Sequence, residues 1–182
     1  MGTLKKVLRV LIFPFVWVWF TCKWVNQNPK VSLIRKENLP LEILYDDIDR
    51  LSIFEIFMDV QILCSKRLFG FYGVNSPELS KKRHRVVEIV WEEFTGKTIG
   101  KAYTNIGADG KPLPFSTYRI GLKKGLSGEE LKCAVAHEIG HILGHWHHGT
   151  CFLMQPTIPW MLGYDYLLKG FKKWMIENYG GV

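Results

Sequence analysis

The first 30 residues contain no acidic residue, and beyond them the chain has almost no excess of either charge. Of 24 Lys and Arg, five (Lys5, Lys6, Arg9, Lys23 and Lys30) lie in that opening segment, leaving 19 against 17 Asp and Glu. The formal charge of +7 therefore belongs to the N-terminus. A nucleic-acid partner calls for a basic stripe on the globular part, so that class is set aside. Cysteine is scarce too. Cys22, Cys64, Cys133 and Cys151 form no CxxC pair and no spaced set, which excludes a thiolate zinc site. The last three are an odd number, so at most one bridge joins two of them. The simpler reading makes each a small buried hydrophobe. Also missing is a small-x-small site after the opening apolar run, the mark of a cleaved secretory signal.

That run is the first thing present. Residues 10–22 are uncharged and include Phe13, Phe15, Trp17, Trp19 and Phe20. Counted over residues 7–25, at about 1.5 Å per residue, a helix would reach about 28 Å, enough for a hydrocarbon core if Arg9 and Lys23 snorkel. An uncleaved signal anchor, a cleaved signal and an interfacial or partner-packed helix share these features. Trp24 and Val25, bulky where cleavage would fall, favour the anchor. The basic cluster before the run keeps the N-terminus cytoplasmic. The expectation is a single-pass membrane protein whose folded domain is extracytoplasmic, with secretion after signal cleavage as the alternative. Residues 1–30 form the anchor or signal segment, 31–38 a linker and 39–182 the domain.

Within the domain, residues 127–154 concentrate the chemistry. His137 and His141 are four apart, so on a helix they stack one turn from each other and can reach one tetrahedral cation. Glu138 lies beside them, placed to act as a base without being a ligand. Ser127 and Glu130 are spaced as a capping box, with Leu126 and Leu131 as a hydrophobic staple, so the helix should start near Gly128. Gly144 falls three residues past His141, where a left-handed turn would end the helix and swing the chain back. The tract also holds His145, His147 and His148. Continuing the helix through Gly144 would present His145 to the cation, whereas ending it there delivers His147.

His137, Glu138, His141, Gly144 and His147 match HExxHxxGxxH position for position, and Met154 follows seven residues later. The segment resembles the zinc-binding signature of the metzincin peptidases. That resemblance implies an α+β, metzincin-like zincin fold, a mixed twisted sheet with three main helices, here preceded by the hydrophobic N-terminal helix. It implies Zn2+ held by His137, His141 and His147, a zinc-activated water with Glu138 as general base, and a protein or peptide substrate. Leu153, Met154, Gln155 and Pro156 resemble the Met turn beneath the zinc ligands. The segment from Met154 to Ile158 is most similar to matrixins, with Pro156, Thr157 and Ile158 walling a substrate pocket. The cysteine set of archaemetzincins and the PRCGxPD cysteine switch are both absent. A rival of another class is a membrane-anchored, non-catalytic binding protein retaining a zinc site. Glu138 counts against it, because a structural site has no use for a base.

The remaining elements follow from pattern. Leu41–Tyr45 reads as a strand, with a helix from Asp46 or Asp47 through Leu51, Phe54 and Met58 toward Cys64. Residues 67–74 read as a strand, followed by a helix start at Ser76 and Pro77. From Leu79, residues Val86, Val87, Val90, Trp91 and Phe94 suggest an amphipathic helix ending at Gly96, with His84 on its solvated face. Residues 98–106 and 116–122 read as strands across a turn-rich segment, either of them a candidate edge for extended substrate. Leu167, Leu168, Phe171, Trp174 and Met175 mark a final helix.

Overall fold

The computed structural model describes residues 39–45, 50–71, 86–103, 118–145, 147, 151–155 and 157–180. The opening apolar run, Asp46 and Asp47, Ser76 and Pro77, His84, His148 and Pro156 lie outside them. Among the described residues no helix is long and apolar enough to cross a membrane.

The described residues form an α+β fold with one mixed sheet and three α-helices. Strands β1 (Leu41–Tyr45), β2 (Phe69–Phe71), β3 (Val86–Glu92), β4 (Gly100–Tyr103) and β5 (Tyr118–Lys123) lie in the order β2-β1-β3-β5-β4. All pairs are parallel except β4 with β5. Helix α1 (Arg50–Gln61) links β1 to β2, α2 (Gly128–Ile142) follows β5, and α3 (Tyr164–Tyr179) ends the domain.

Register gives the sheet two unlike faces. Ile43, Val87 and Tyr118 align across three strands, as do Ile89 with Ile120 and Trp91 with Leu122. Leu41, Val87, Ile89, Tyr118, Ile120 and Leu122 are fully buried in the core shared with α1 and α2. Period-two alternation puts Glu88, Glu92, Arg119, Lys101 and Tyr103 on the opposite face. There Arg119 Nη2 lies 3.0 Å from Glu92 Oε1, and the Tyr103 hydroxyl donates to Glu92 Oε2 at 2.8 Å.

One expectation is overturned. Val86–Glu92 is a strand, not the second half of an amphipathic helix. Its β-branched residues suit a pleated sheet, and β3 sits between β1 and β5 with partners on both edges. Among the described residues the expected strands at Leu41–Tyr45, Phe69–Phe71, Gly100–Tyr103 and Tyr118–Lys123 and the helices Arg50–Gln61 and Tyr164–Tyr179 form close to the expected places, and α2 starts at Gly128. The cap differs in detail, however. Ser127 occupies the N-cap in extended conformation but makes no side-chain cap bond. The first-turn carboxylate that is used belongs to Glu129, whose Oε2 accepts the backbone N–H of Tyr164 at 2.6 Å. That bond places a negative charge at the positive N-terminus of α3. At the other end of α3 the Tyr179 hydroxyl donates to the Leu143 carbonyl at 2.6 Å. Helix α3 therefore clamps α2 near both ends.

Candidate metal centre

Helix α2 ends as the glycine requires. Gly144 has φ +93°, its N–H donates to the His141 carbonyl at 3.1 Å, and the His145 N–H reaches back to the Gly140 carbonyl at 2.8 Å. These two bonds form a Schellman motif, which a side chain at Gly144 would strain. The reversal turns the chain toward the helix face that carries His137 and His141, and His147 joins them. Ring centroids lie 4.6 Å apart for His137 and His141, 4.8 Å for His141 and His147, and 5.3 Å for His137 and His147. One ring nitrogen from each lies within 4.8 Å of the other two.

The hydrogen bonds orient these rings. His137 Nδ1 is 2.6 Å from the Leu153 carbonyl oxygen, and His141 Nδ1 is 3.0 Å from that of His145. A carbonyl only accepts, so both Nδ1 atoms carry the proton and both Nε2 atoms present lone pairs. Burial lowers the pKa of His137 to about 4 and of His141 to about 3, and lowers that of His147, so the imidazoles are neutral near pH 7. Yet the Nε2 atoms of His137 and His141 approach to 3.0 Å. Two neutral acceptors facing each other repel, and a cation between them removes the conflict. At Zn–N distances of about 2.0–2.1 Å, tetrahedral geometry separates ligand nitrogens by roughly 3.3 Å, close to the spacing seen. Three neutral imidazoles, two of them oriented by carbonyls, fit Zn2+.

Glu138 points to the sheet. It is buried, which pushes its pKa up to about 8 against the opposing pull of a hydrogen bond from the Ala102 backbone. Lys123 donates to the Ile99 carbonyl at 2.9 Å, so alternate residues of β4 bond to β5 while Gly100 and Ala102 turn their backbone groups to the outer edge of the described sheet. Glu138 takes one of those outward donors. Gly100 makes the approach possible, since a Cβ there would come within 2.9 Å of Glu138 Oε1.

Met154 is fully buried in a short 3-10 turn, Phe152–Met154. It packs against α2 where Gly140 leaves room, since a Cβ on Gly140 would overlap the Met154 sulfur. The preceding residue, Leu153, supplies the carbonyl that orients His137. Thr157 is exposed and Ile158 half-buried. His145 is neither a member of the cluster nor solvated. It is buried and stacked on Trp174 at 4.3 Å and Phe171 at 5.7 Å, and its backbone carbonyl holds His141. Cys64, Cys133 and Cys151 are reduced and buried, with burial raising the Cys133 pKa to about 12. Sequence reasoning missed Gly100, Gly140 and the two orienting carbonyls. The glycines flank or interrupt the motif without being part of its spacing, and a backbone carbonyl leaves no residue-type signal.

No family profile matches the chain, and no curated protein is significantly similar to it. Among solved structures it is similar to high choriolytic enzyme 1, a hatching enzyme zinc-protease from the medaka fish Oryzias latipes. The identity is 14% and the TM-score 0.36, over 65% of this chain and 50% of that one. The chain thus matches half the length of that protein. A likeness so loose fixes no chemistry, and the metal centre stands on its own geometry.

Proposed function

We propose that the chain is a zinc-dependent metalloendopeptidase of metzincin type, in which His137, His141 and His147 hold the metal and Glu138 is the general base. The observation that carries this reading is the convergence of three neutral imidazoles, two of them oriented by carbonyls, beside a buried carboxylate at the edge of the described sheet. Bound there, Zn2+ supplies Lewis acidity, which brings the pKa of a water from 15.7 to about 7 and polarises a carbonyl. Glu138 accepts the proton of the attacking water and returns it to the leaving amine. The outward backbone groups of Gly100 and the outward carbonyl of Ala102, whose N–H is held by Glu138, would bind extended substrate as an added strand. Met154 would support the centre from below, and Pro156, Thr157 and Ile158 would form a pocket wall of the matrixin kind. Residues 1–30 would anchor this domain outside the cytoplasm.

The test is bound-zinc stoichiometry together with cleavage of casein by the full chain. One zinc per chain and cleavage abolished by chelation and restored by Zn2+ support the reading. One zinc per chain without cleavage of casein or a peptide library would favour a zinc-retaining binding protein.

A further inference from the structure

Downstream of the metal centre, the chain leaves the core in a short 3-10 turn, Trp160–Leu162, before entering α3. All three of its side chains are large and apolar, and all are exposed: Trp160 by 47%, Met161 by 80% and Leu162 by 47%. Tyr166, in the first turn of α3, is 54% exposed and stacks on Phe152 with centroids 6.3 Å apart. Single exposed apolar side chains are ordinary, whereas three in succession with an aromatic beside them form a patch that asks for a partner.

Two properties of the patch indicate its partner. The Trp160 N–H donates to the Ile158 carbonyl, Leu162 to Pro159 and Gly163 to Trp160, at 2.9–3.0 Å. The turn thus satisfies much of its own backbone and can enter an apolar medium at reduced cost. The adjoining charge is of one sign. No acidic residue occurs between Tyr166 and Ile176, while Lys169 and Lys173 share the helix face of Tyr166 and Lys172 lies next to them, all exposed. Asp165 and Glu177 flank this stretch.

We propose that the Trp160–Leu162 turn, with Tyr166 and the lysines of α3, docks the domain on an anionic lipid surface. The aromatic and apolar side chains enter the headgroup boundary, as Trp and Tyr favour, and Lys169, Lys172 and Lys173 meet the negative headgroups. The surface is distinct from the apolar run at the N-terminus and independent of the peptidase reading. It would hold the domain in a fixed orientation on the membrane, with the Trp160–Leu162 turn facing the lipid.

The test uses the full chain carrying Cys22→Ser, because the other cysteines are buried. A polarity-sensitive fluorophore is attached at Met161→Cys, or at Glu88→Cys on the polar sheet face as a control. Vesicles of phosphatidylcholine with increasing phosphatidylserine should shift the probe at 161 to the blue and leave the probe at 88 unchanged. Lys169→Ala combined with Lys173→Ala should weaken the apparent partition of the probe at 161 about 25-fold, roughly fivefold for each lysine. A probe at 161 that stays water-like at every composition on vesicle-bound protein would overturn the proposal. So would a blue shift without lipid as protein concentration rises, which would assign the patch to a second copy of the chain.

Discussion

The helix-covered face of the sheet and the metal centre are both buried, but they are held in different ways. The sheet face is a layer of aliphatic and aromatic side chains aligned across β1, β3 and β5, with Ile43, Val87, Ile89, Ile120 and Leu122 at its middle. Such a layer requires volume and apolarity, and it tolerates small exchanges. The metal centre depends on particular atoms. Two backbone carbonyls set the rotation of His137 and His141, Gly140 admits the Met154 sulfur, and Gly100 admits the Glu138 carboxylate. The scaffold should therefore absorb substitutions that the site cannot.

The largest expected effect is on turnover. Glu138→Gln keeps the shape of the side chain and the hydrogen bond from Ala102 but removes the proposed base, and cleavage should fall about 100-fold to 10,000-fold with zinc content unchanged. Digestion at near wild-type rate would assign the base elsewhere. Next is Gly140→Ala. The added methyl meets the Met154 sulfur and lies 3.4 Å from Phe171. Overpacking of this kind costs about 1–3 kcal/mol, more than the roughly 1 kcal/mol gained in helix propensity. A lower Tm and weaker zinc retention should appear together, and an unchanged Tm would show that the contact is loose.

A pH series on the chelated protein sharpens the same contrast. His137 and His141 have folded pKa values below the ordinary 6.5, so their contribution is present above that pH and is lost as pH falls toward about 4 for His137 and about 3 for His141. Glu138 is raised from 4.5 to about 8, so its contribution is present below pH 4.5 and is lost as pH rises toward 8. Metal-free stability should therefore peak near pH 6.5, and Glu138→Gln should flatten the alkaline side alone. An unchanged alkaline decline in that variant would trace the loss to another group. The smallest effect belongs to the scaffold. Ile89→Val should cost about 0.5–1.5 kcal/mol in denaturant melts and leave zinc binding unaltered. A loss of zinc there would show that the two regions are coupled.

The metal helix was legible because its chemistry is local. His137, His141 and Gly144 lie within two turns, and spacing alone specifies the shared face and the exit. The strands Leu41–Tyr45 and Tyr118–Lys123 were legible from short apolar runs. Val86–Glu92 was not, because Val86, Val87, Val90 and Trp91 fit both periods and its strand state depends on neighbours 44 residues away at β1 and 31 residues away at β5. The same limit applies inside the site. Glu138 meets Ala102, and His137 meets Leu153, through folding of distant segments. Nothing local placed the ring of His145 either, since Phe171 and Trp174, on which it stacks, come from α3.

The central claim is that the turn at Gly144 selects His147, rather than His145, as the third ligand. Zinc stoichiometry of purified His147→Ala and His145→Phe measures it directly, with Phe chosen to preserve stacking on Trp174 and the backbone carbonyl that holds His141. His147→Ala should lose most bound zinc and all cleavage, whereas His145→Phe should retain one zinc per chain and much of the activity. A His147→Ala protein that keeps one zinc with full turnover, or a folded His145→Phe protein that has lost the metal, would contradict the account.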